Sequence, residues 1–389
     1  MDVALDSFGV LQVEPTDLCN LACRMCLPQL DRPGHVHGVP GGFMKLDLFQ
    51  RIFDDLAATD CHFDHVILQW MGDPALHPQL PELVGIAASR MLGRCQYLRV
   101  DTNGVLLDPE RIDALVDAWL PSRDLPLLIV FSLDAVNPET YAQVKGLDAL
   151  DRVKRNIRYL VDRRARIPGD DVRLNLQLQF VLQPGNAHEV GDFVRYWERF
   201  LACRQDGPRG PRGYDEIMIK RLSVAAGGPG QAAADRLYDR SVREQGVRPR
   251  EGAPCAVEMW MDRPWEHDDE QQTTPRGACP GAWMTPVIRH DGLLTLCCVD
   301  VGGQIALGNL AEHGFEELWL GPQADALRMD HVQGHFDRHS TCAHCGGIAW
   351  YGFPPATVKA WLEGMGRMDL WPGYRERMGV ANDGCAALR

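Results

Sequence analysis

VLQVEPTDLCNLACRMC, residues 10–26, decides the fold. Val10–Glu14 reads as a short buried strand, and directly behind it Cys19, Cys23 and Cys26 place three thiols within eight residues. Three thiolates at this spacing can wrap one face of an iron–sulfur cubane, and thiolate is the ligand such clusters prefer. Three rather than four leaves one iron open. Zinc would want a fourth ligand close by, and none follows promptly. A single buried cysteine needs no explanation; three so closely spaced do.

Outward from this loop, strand and helix signals alternate six times up to about residue 222. The strand-like runs are Val10–Glu14, Val66–Trp70, Tyr97–Val100, Leu127–Ser132, Leu174–Leu182 and Ile217–Leu222. Amphipathic stretches lie between them: Phe49, Ile52, Phe53 and Leu56 form one helical stripe, and Val153, Ile157, Leu160 and Val161 another. Repeated βα units predict parallel strands with helices outside, as a barrel or a doubly wound sheet. The fifth strand puts Leu174, Leu176, Leu178, Phe180 and Leu182 on one face and Asn175, Gln177 and Gln179 on the other. A strand buried on both faces should be apolar throughout. The polar face therefore predicts a wet lumen that binds something, or else a solvated edge strand.

Composition narrows the function. With 53 acidic and 40 basic residues the formal net charge is −13, which argues against nucleic acid as a partner. The one basic run, Arg163–Arg166, ends a predicted helix, where cations suit the dipole. The first ten residues hold two aspartates and no basic residue, unlike a signal peptide. No apolar run approaches the roughly 20 residues of a membrane span. A soluble cytoplasmic protein with no membrane partner is expected, and its 13 cysteines then point to metal, cluster or redox roles before disulfides. Residues 204–213 and 226–230 are rich in Gly and Pro. The expected organisation is a barrel over 1–222, a linker or lid over 223–278, and a smaller cysteine-rich unit over 279–389.

The Cys-x3-Cys-x2-Cys loop behind a first strand resembles the radical S-adenosylmethionine superfamily, whose fold is a partial (β/α)6 TIM-like barrel. That resemblance implies an α/β fold and a [4Fe–4S] cluster on Cys19, Cys23 and Cys26. Its open iron would chelate the methionine amino and carboxylate groups, and one-electron cleavage would release a 5′-deoxyadenosyl radical. Met25 stands where the family usually carries an aromatic residue. Met71-Gly72-Asp73-Pro74, followed by Leu76-His77-Pro78, is similar to the family's Gly-Gly-Glu motif, with the shorter Asp73 in place of Glu. Thr102-Asn103-Gly104 and Ser132-Leu133-Asp134 end the third and fourth strands, and Asn186 and Glu189 follow the fifth. By the resemblance, Met71, Gly72, Asp73, Asn103, Ser132, Asp134 and Gln179 bind the cofactor. Each motif alone is an ordinary turn. Together they sit on the functional rim of such a barrel.

Farther on, Cys279, then Cys297 or Cys298, then Cys342 and Cys345 supply four more thiols. With DGLLTLC at 291–297 and ELW at 317–319, they resemble the SPASM/twitch auxiliary-cluster domains. Cys297 fits the pattern better than Cys298. Structural zinc suits four cysteines too, but the barrel half already commits the chain to iron–sulfur chemistry. Cys255, Cys298 and Cys385 are the remaining cysteines considered for a second auxiliary cluster. With all four positions filled by protein, the auxiliary cluster implies electron transfer rather than substrate binding.

Two outcomes are then open for a small substrate, and a peptide-modifying maturase is a third reading. If a base deprotonates a substrate hydroxyl after hydrogen abstraction, the auxiliary cluster can take the electron and the product is a ketone; Lys220 and Arg221, ending the sixth strand, are the candidates here. If a thiol returns hydrogen, the product is an epimer, with Cys255 as donor. Peptide-modifying relatives usually carry an N-terminal recognition domain, and none is expected before a first strand near residue 10. The resemblance is thus to aminoglycoside and aminocyclitol dehydrogenases of antibiotic biosynthesis. A small amino sugar or cyclitol and an external donor such as flavodoxin or ferredoxin are the expected partners.

Overall fold

Alternating apolar runs and amphipathic stripes build a mostly parallel sheet with helices on its outer face. The computed structural model describes residues 7–26, 41–169, 172–202, 215–223, 230–251, 255–260, 276–343, 345 and 354–380. Cys385, residues 204–213 and residues 226–229 lie outside the described residues. Seven strands run parallel in sequence order: β1 (Ser7–Val13), β2 (His62–Leu68), β3 (Cys95–Thr102), β4 (Leu127–Ser132), β5 (Leu174–Leu182), β6 (Glu216–Arg221) and β7 (Ala256–Trp260). The first six are the runs seen in the sequence, with β4 and β5 at the expected bounds. The seventh lies inside 223–278, where a helix, Gly230–Glu244, precedes it.

On the other flank, β8 (Val287–Ile288) pairs parallel with β1 and continues antiparallel into β9 (Leu293–Thr295) and β10 (Ala306–Asn309). The auxiliary hairpin is therefore part of the same ten-stranded sheet, and this edge brings its cysteines next to the first strand.

Four helices serve the site. Helix α1 (Leu46–Ala58) buries the expected Phe49, Ile52, Phe53 and Leu56. Helix α2 (Pro109–Trp119) starts on Asp108, whose side chain accepts from Arg111 N–H. Helix α3 (Pro138–Lys145) ends on Gly146 at φ 77°. Glycine suits that left-handed cap, and a Cβ there would press against the Ala22 carbonyl of the cysteine loop at 2.9 Å. Helix α4 (Leu150–Ala165) buries Val153, Ile157, Leu160 and Val161. Its Arg164 is more than a dipole complement: it forks onto Asp215 at 2.6 and 2.8 Å, fully buried before β6. Among the described residues no helix is long and apolar enough to cross a membrane.

Candidate functional site

The loop after β1 is fixed by its neighbours before any cofactor binds. Arg24 N–H donates to Val144 O at 3.1 Å, and Gly42 N–H to Asp17 Oδ1 at 2.8 Å. Cys26 N–H closes a turn onto Cys23 O at 3.1 Å. Met25 receives Gln183 Nε2–H at its sulfur, 3.2 Å away, so a loop after β5 braces the position where an aromatic was expected. Burial, then the Asp73 charge, pushes the Cys19 thiol up to about 12, and burial raises Cys23 as well. As free thiols these groups would stay protonated; bound iron is what would make them thiolates.

The motif after β2 meets this loop at close range. Asp73 N–H donates to Leu18 O at 2.8 Å, and any Cβ on Gly72 would run into the Thr16 and Leu18 carbonyl oxygens. Glycine is required there. Asp73 is buried; its carboxylate accepts from Asn103 N–H at 2.6 Å, Thr102 Oγ–H at 2.9 Å and Ala75 N–H at 2.9 Å. Burial nevertheless raises its pKa. Asn103 Nδ2–H reaches Asn20 Oδ1 at 2.8 Å and Cys19 Sγ at 3.9 Å. The shorter carboxylate thus ties the β2 and β3 turns to the cysteine loop.

The β4 end is built around a buried ion pair that the sequence did not reveal. Lys145 Nζ lies 2.5 Å from Asp134 Oδ2 and 2.9 Å from Ser132 Oγ, with the lysine 2% exposed and the aspartate 0%. Burial works against the Lys145 charge, but Asp134 and then Cys23 hold it above the usual lysine value. Asp134 itself adopts φ 59°, a left-handed conformation uncommon outside glycine. Asn186 Nδ2–H holds the Asp134 carbonyl at 2.8 Å, and Glu189 accepts from Val136 and Asn137 N–H at 2.9 and 3.2 Å. Asn186 and Glu189 therefore position the loop.

Inside the barrel lies a cavity of about 500 Å³, lined among others by Gln12, Gln69, Asn175, Gln177 and Gln179. The polar face of β5 faces this lumen, as its sequence pattern suggested. Charge is also present: Arg99 and Asp101 form a two-pronged pair at 2.6 Å for both contacts, and Glu216, Glu258 and Lys220 line the same wall. Gln179 Oε1 is buried without a partner among the described residues. Two of the three expected catalytic residues are elsewhere. Arg221 pairs with Asp235 at 2.7 Å and is not part of the lining. Cys255 is 1% exposed in the apolar core, its thiol pushed up to about 11 by burial, and it too is absent from the lumen wall.

The second cysteine group converges in a separate pocket. Cys279, Cys297, Cys342 and Cys345 line it together with Arg276, Thr341 and His331, and Ala282, Leu296, Val299, Ile305 and Leu327 close it. A Cβ on Gly281 would lie 3.4 Å from Cys297 Sγ and 3.5 Å from Cys279 Sγ, so that glycine sits between two sulfurs. Burial raises Cys279 and Cys342 to about 12. Cys298 instead lines the barrel cavity, and its carbonyl accepts from Trp70 Nε1–H at 3.0 Å. Zinc would gather its sulfurs at about 2.3 Å from one centre. Four thiols that include a Cys-x2-Cys pair suit an iron–sulfur cluster as well.

Three buried residues outside the expected set hold this architecture. Glu14 accepts from Met71 N–H at 3.2 Å and His290 N–H at 3.3 Å, joining the β2 motif to the auxiliary hairpin. Asp300 accepts from Thr295 Oγ–H at 2.6 Å, Gln304 N–H at 2.9 Å and Thr341 Oγ–H at 2.9 Å, folding the loop behind Cys297. His331 faces Cys342. None carries a motif; only a buried polar residue next to a strand end hints at Glu14.

The comparisons agree with this geometry. The Radical SAM superfamily profile matches residues 13–168, and the SPASM iron–sulfur cluster-binding domain matches residues 279–346. GTP 3′,8-cyclase from Chlorobaculum tepidum is 30% identical over 198 residues, 49% of this chain and 52% of that protein, so the match spans about half that relative's length. Among solved structures, Streptococcus suis SuiB bound to S-adenosylmethionine is similar with a TM-score of 0.56 at 14% identity, covering 87% of this chain and 72% of that one. Native anSMEcpe with bound AdoMet gives 0.54 at 14% identity, covering 95% and 99%. At that identity the structural likeness speaks for the fold. The chain thus carries a Radical SAM superfamily domain over residues 13–168 and a SPASM iron–sulfur cluster-binding domain over residues 279–346.

Proposed function

We propose that the enzyme oxidises a secondary alcohol of a small amino sugar or cyclitol to a ketone, with the auxiliary cluster taking the second electron. One observation carries the reading: consecutive residues Cys297 and Cys298 line the auxiliary pocket and the barrel lumen. A substrate radical held in the lumen would then lie one residue's width from an electron acceptor.

When bound, the first cluster and S-adenosylmethionine supply a radical able to remove hydrogen from a C–H bond. The chain's own residues do the rest. Met71, Gly72, Asp73 and Asn103 would hold the methionine end beside Cys19, and Ser132 with Asp134 would face the nucleoside end. Gln12, Gln69, Asn175, Gln177 and Gln179 offer carboxamides to hydroxyl and amine donors, and the unpartnered Gln179 Oε1 awaits such a donor. Glu216 and Glu258 balance a cationic amine electrostatically. Lys220, on the same wall, orients the hydroxyl and receives or relays its proton. The proton leaves to the protein, the electron to the auxiliary site, and the carbon becomes a carbonyl.

A panel of amino sugars, cyclitols and short peptides, scored by release of 5′-deoxyadenosine, tests the reading. Release with an amino sugar or cyclitol, accompanied by a carbonyl product, supports it. Release only with a peptide overturns it.

A further inference from the structure

His331 belongs to no expected motif, yet it sits against the auxiliary cysteines. It is 2% exposed, and its Nε2 lies 3.4 Å from Cys342 Sγ. Phe336 packs against the ring at 4.9 Å, and the Arg276 guanidinium lies over the Phe336 ring at 4.1 Å while donating to the Cys342 carbonyl at 2.6 Å. The ring is therefore held in place. His331 Nδ1 is buried with no partner among the described residues. An iron-bound thiolate has only lone pairs to offer, so the tautomer with hydrogen on Nε2 is the one that makes a bond here.

We propose that His331 donates its Nε2–H to the Cys342 sulfur and thereby raises the reduction potential of the auxiliary cluster. Reduction adds negative charge, and a hydrogen bond to a ligating sulfur stabilises the more negative form. His331 is a positioning residue acting through Cys342. Its effect is to make the cluster a better electron acceptor, whichever substrate occupies the lumen.

The test is an EPR-monitored redox titration of the reconstituted full chain without substrate, in a Cys19→Ala, Cys23→Ala, Cys26→Ala background that leaves only the auxiliary signal. His331→Phe keeps bulk and removes the donor. A shift to more negative potential is expected, about tenfold in the reduction equilibrium, or about 59 mV for one electron. His331→Gln, which restores an N–H at a similar distance, should recover most of the shift and serves as the second variant if His331→Phe loads no cluster. An unchanged potential in His331→Phe overturns the proposal. So does loss of the cluster in both variants, which would make the imidazole a ligand rather than a donor. Because no substrate is present, neither outcome depends on the proposed oxidation.

Discussion

Cys297 and Cys298 are adjacent in the chain and line different chambers: the first faces Cys279, Cys342 and Cys345, the second faces the barrel lumen. The two thiols hydrogen-bond each other, and Cys297, which shares a pocket with the other three cysteines, is the auxiliary ligand we propose. Cys297→Ala should therefore remove the auxiliary iron, leaving about four of roughly eight irons per chain after reconstitution. Cys298→Ala should keep the full complement. Iron and sulfide analysis separates the two, and equal iron loss in both variants would contradict the assignment.

Lys145 and Asp134 form a buried pair on which the β4 turn depends. Removing one partner of such a pair leaves an uncompensated buried charge and costs about 3–5 kcal/mol. Lys145→Met should show that loss in urea unfolding of the cluster-free protein. S-adenosylmethionine affinity should fall in the same variant, since Lys145 also holds Ser132.

His290 links pH to the joint between the two domains. Burial alone would lower its pKa, but the hydrogen bond it donates to Glu14 and then the Asp17 charge more than reverse this, leaving it above the ordinary 6.5. A raised folded value means the protonated ring stabilises the native state. That stabilisation is fully present below pH 6.5 and is lost as the pH rises through the elevated folded value. Thermal melts over this window should show stability falling with pH, with a flatter slope in His290→Gln.

Lys220 and Cys255 should part company in turnover. Cys255 lies in the core, so Cys255→Ala should leave product identity unchanged. Lys220→Met should lower ketone yield at least tenfold, about 1.4 kcal/mol, while 5′-deoxyadenosine is still released. Chromatography of both products checks this directly.

Much of this arrangement was legible in the sequence because periodicity reports burial. Strands β4 and β5 read at their observed bounds because each is a continuous or strictly alternating apolar run. Strand β7 was not seen, since AVEMW is short and stands among Gly, Pro and charged residues. The cysteine loop and the rim turns were visible because their chemistry fixes their spacing. Nothing in the local sequence sets Lys145 apart, and its pairing with Asp134 becomes evident only when α3 folds back on β4. His331 lies 11 residues before Cys342, on the helix Pro322–Gln333, and no local pattern links the two. Cys255 was misplaced for the opposite reason: a reactive side chain attracted a role that its position in the core does not support.

In the proposed reaction the substrate radical is oxidised rather than quenched. Turnover in deuterated water with an amino sugar or cyclitol that triggers 5′-deoxyadenosine release decides this, through product mass and the ratio of products. A ketone, one 5′-deoxyadenosine per ketone and no solvent deuterium at the reacting carbon are expected. An epimer carrying one deuterium at that carbon would overturn the reading.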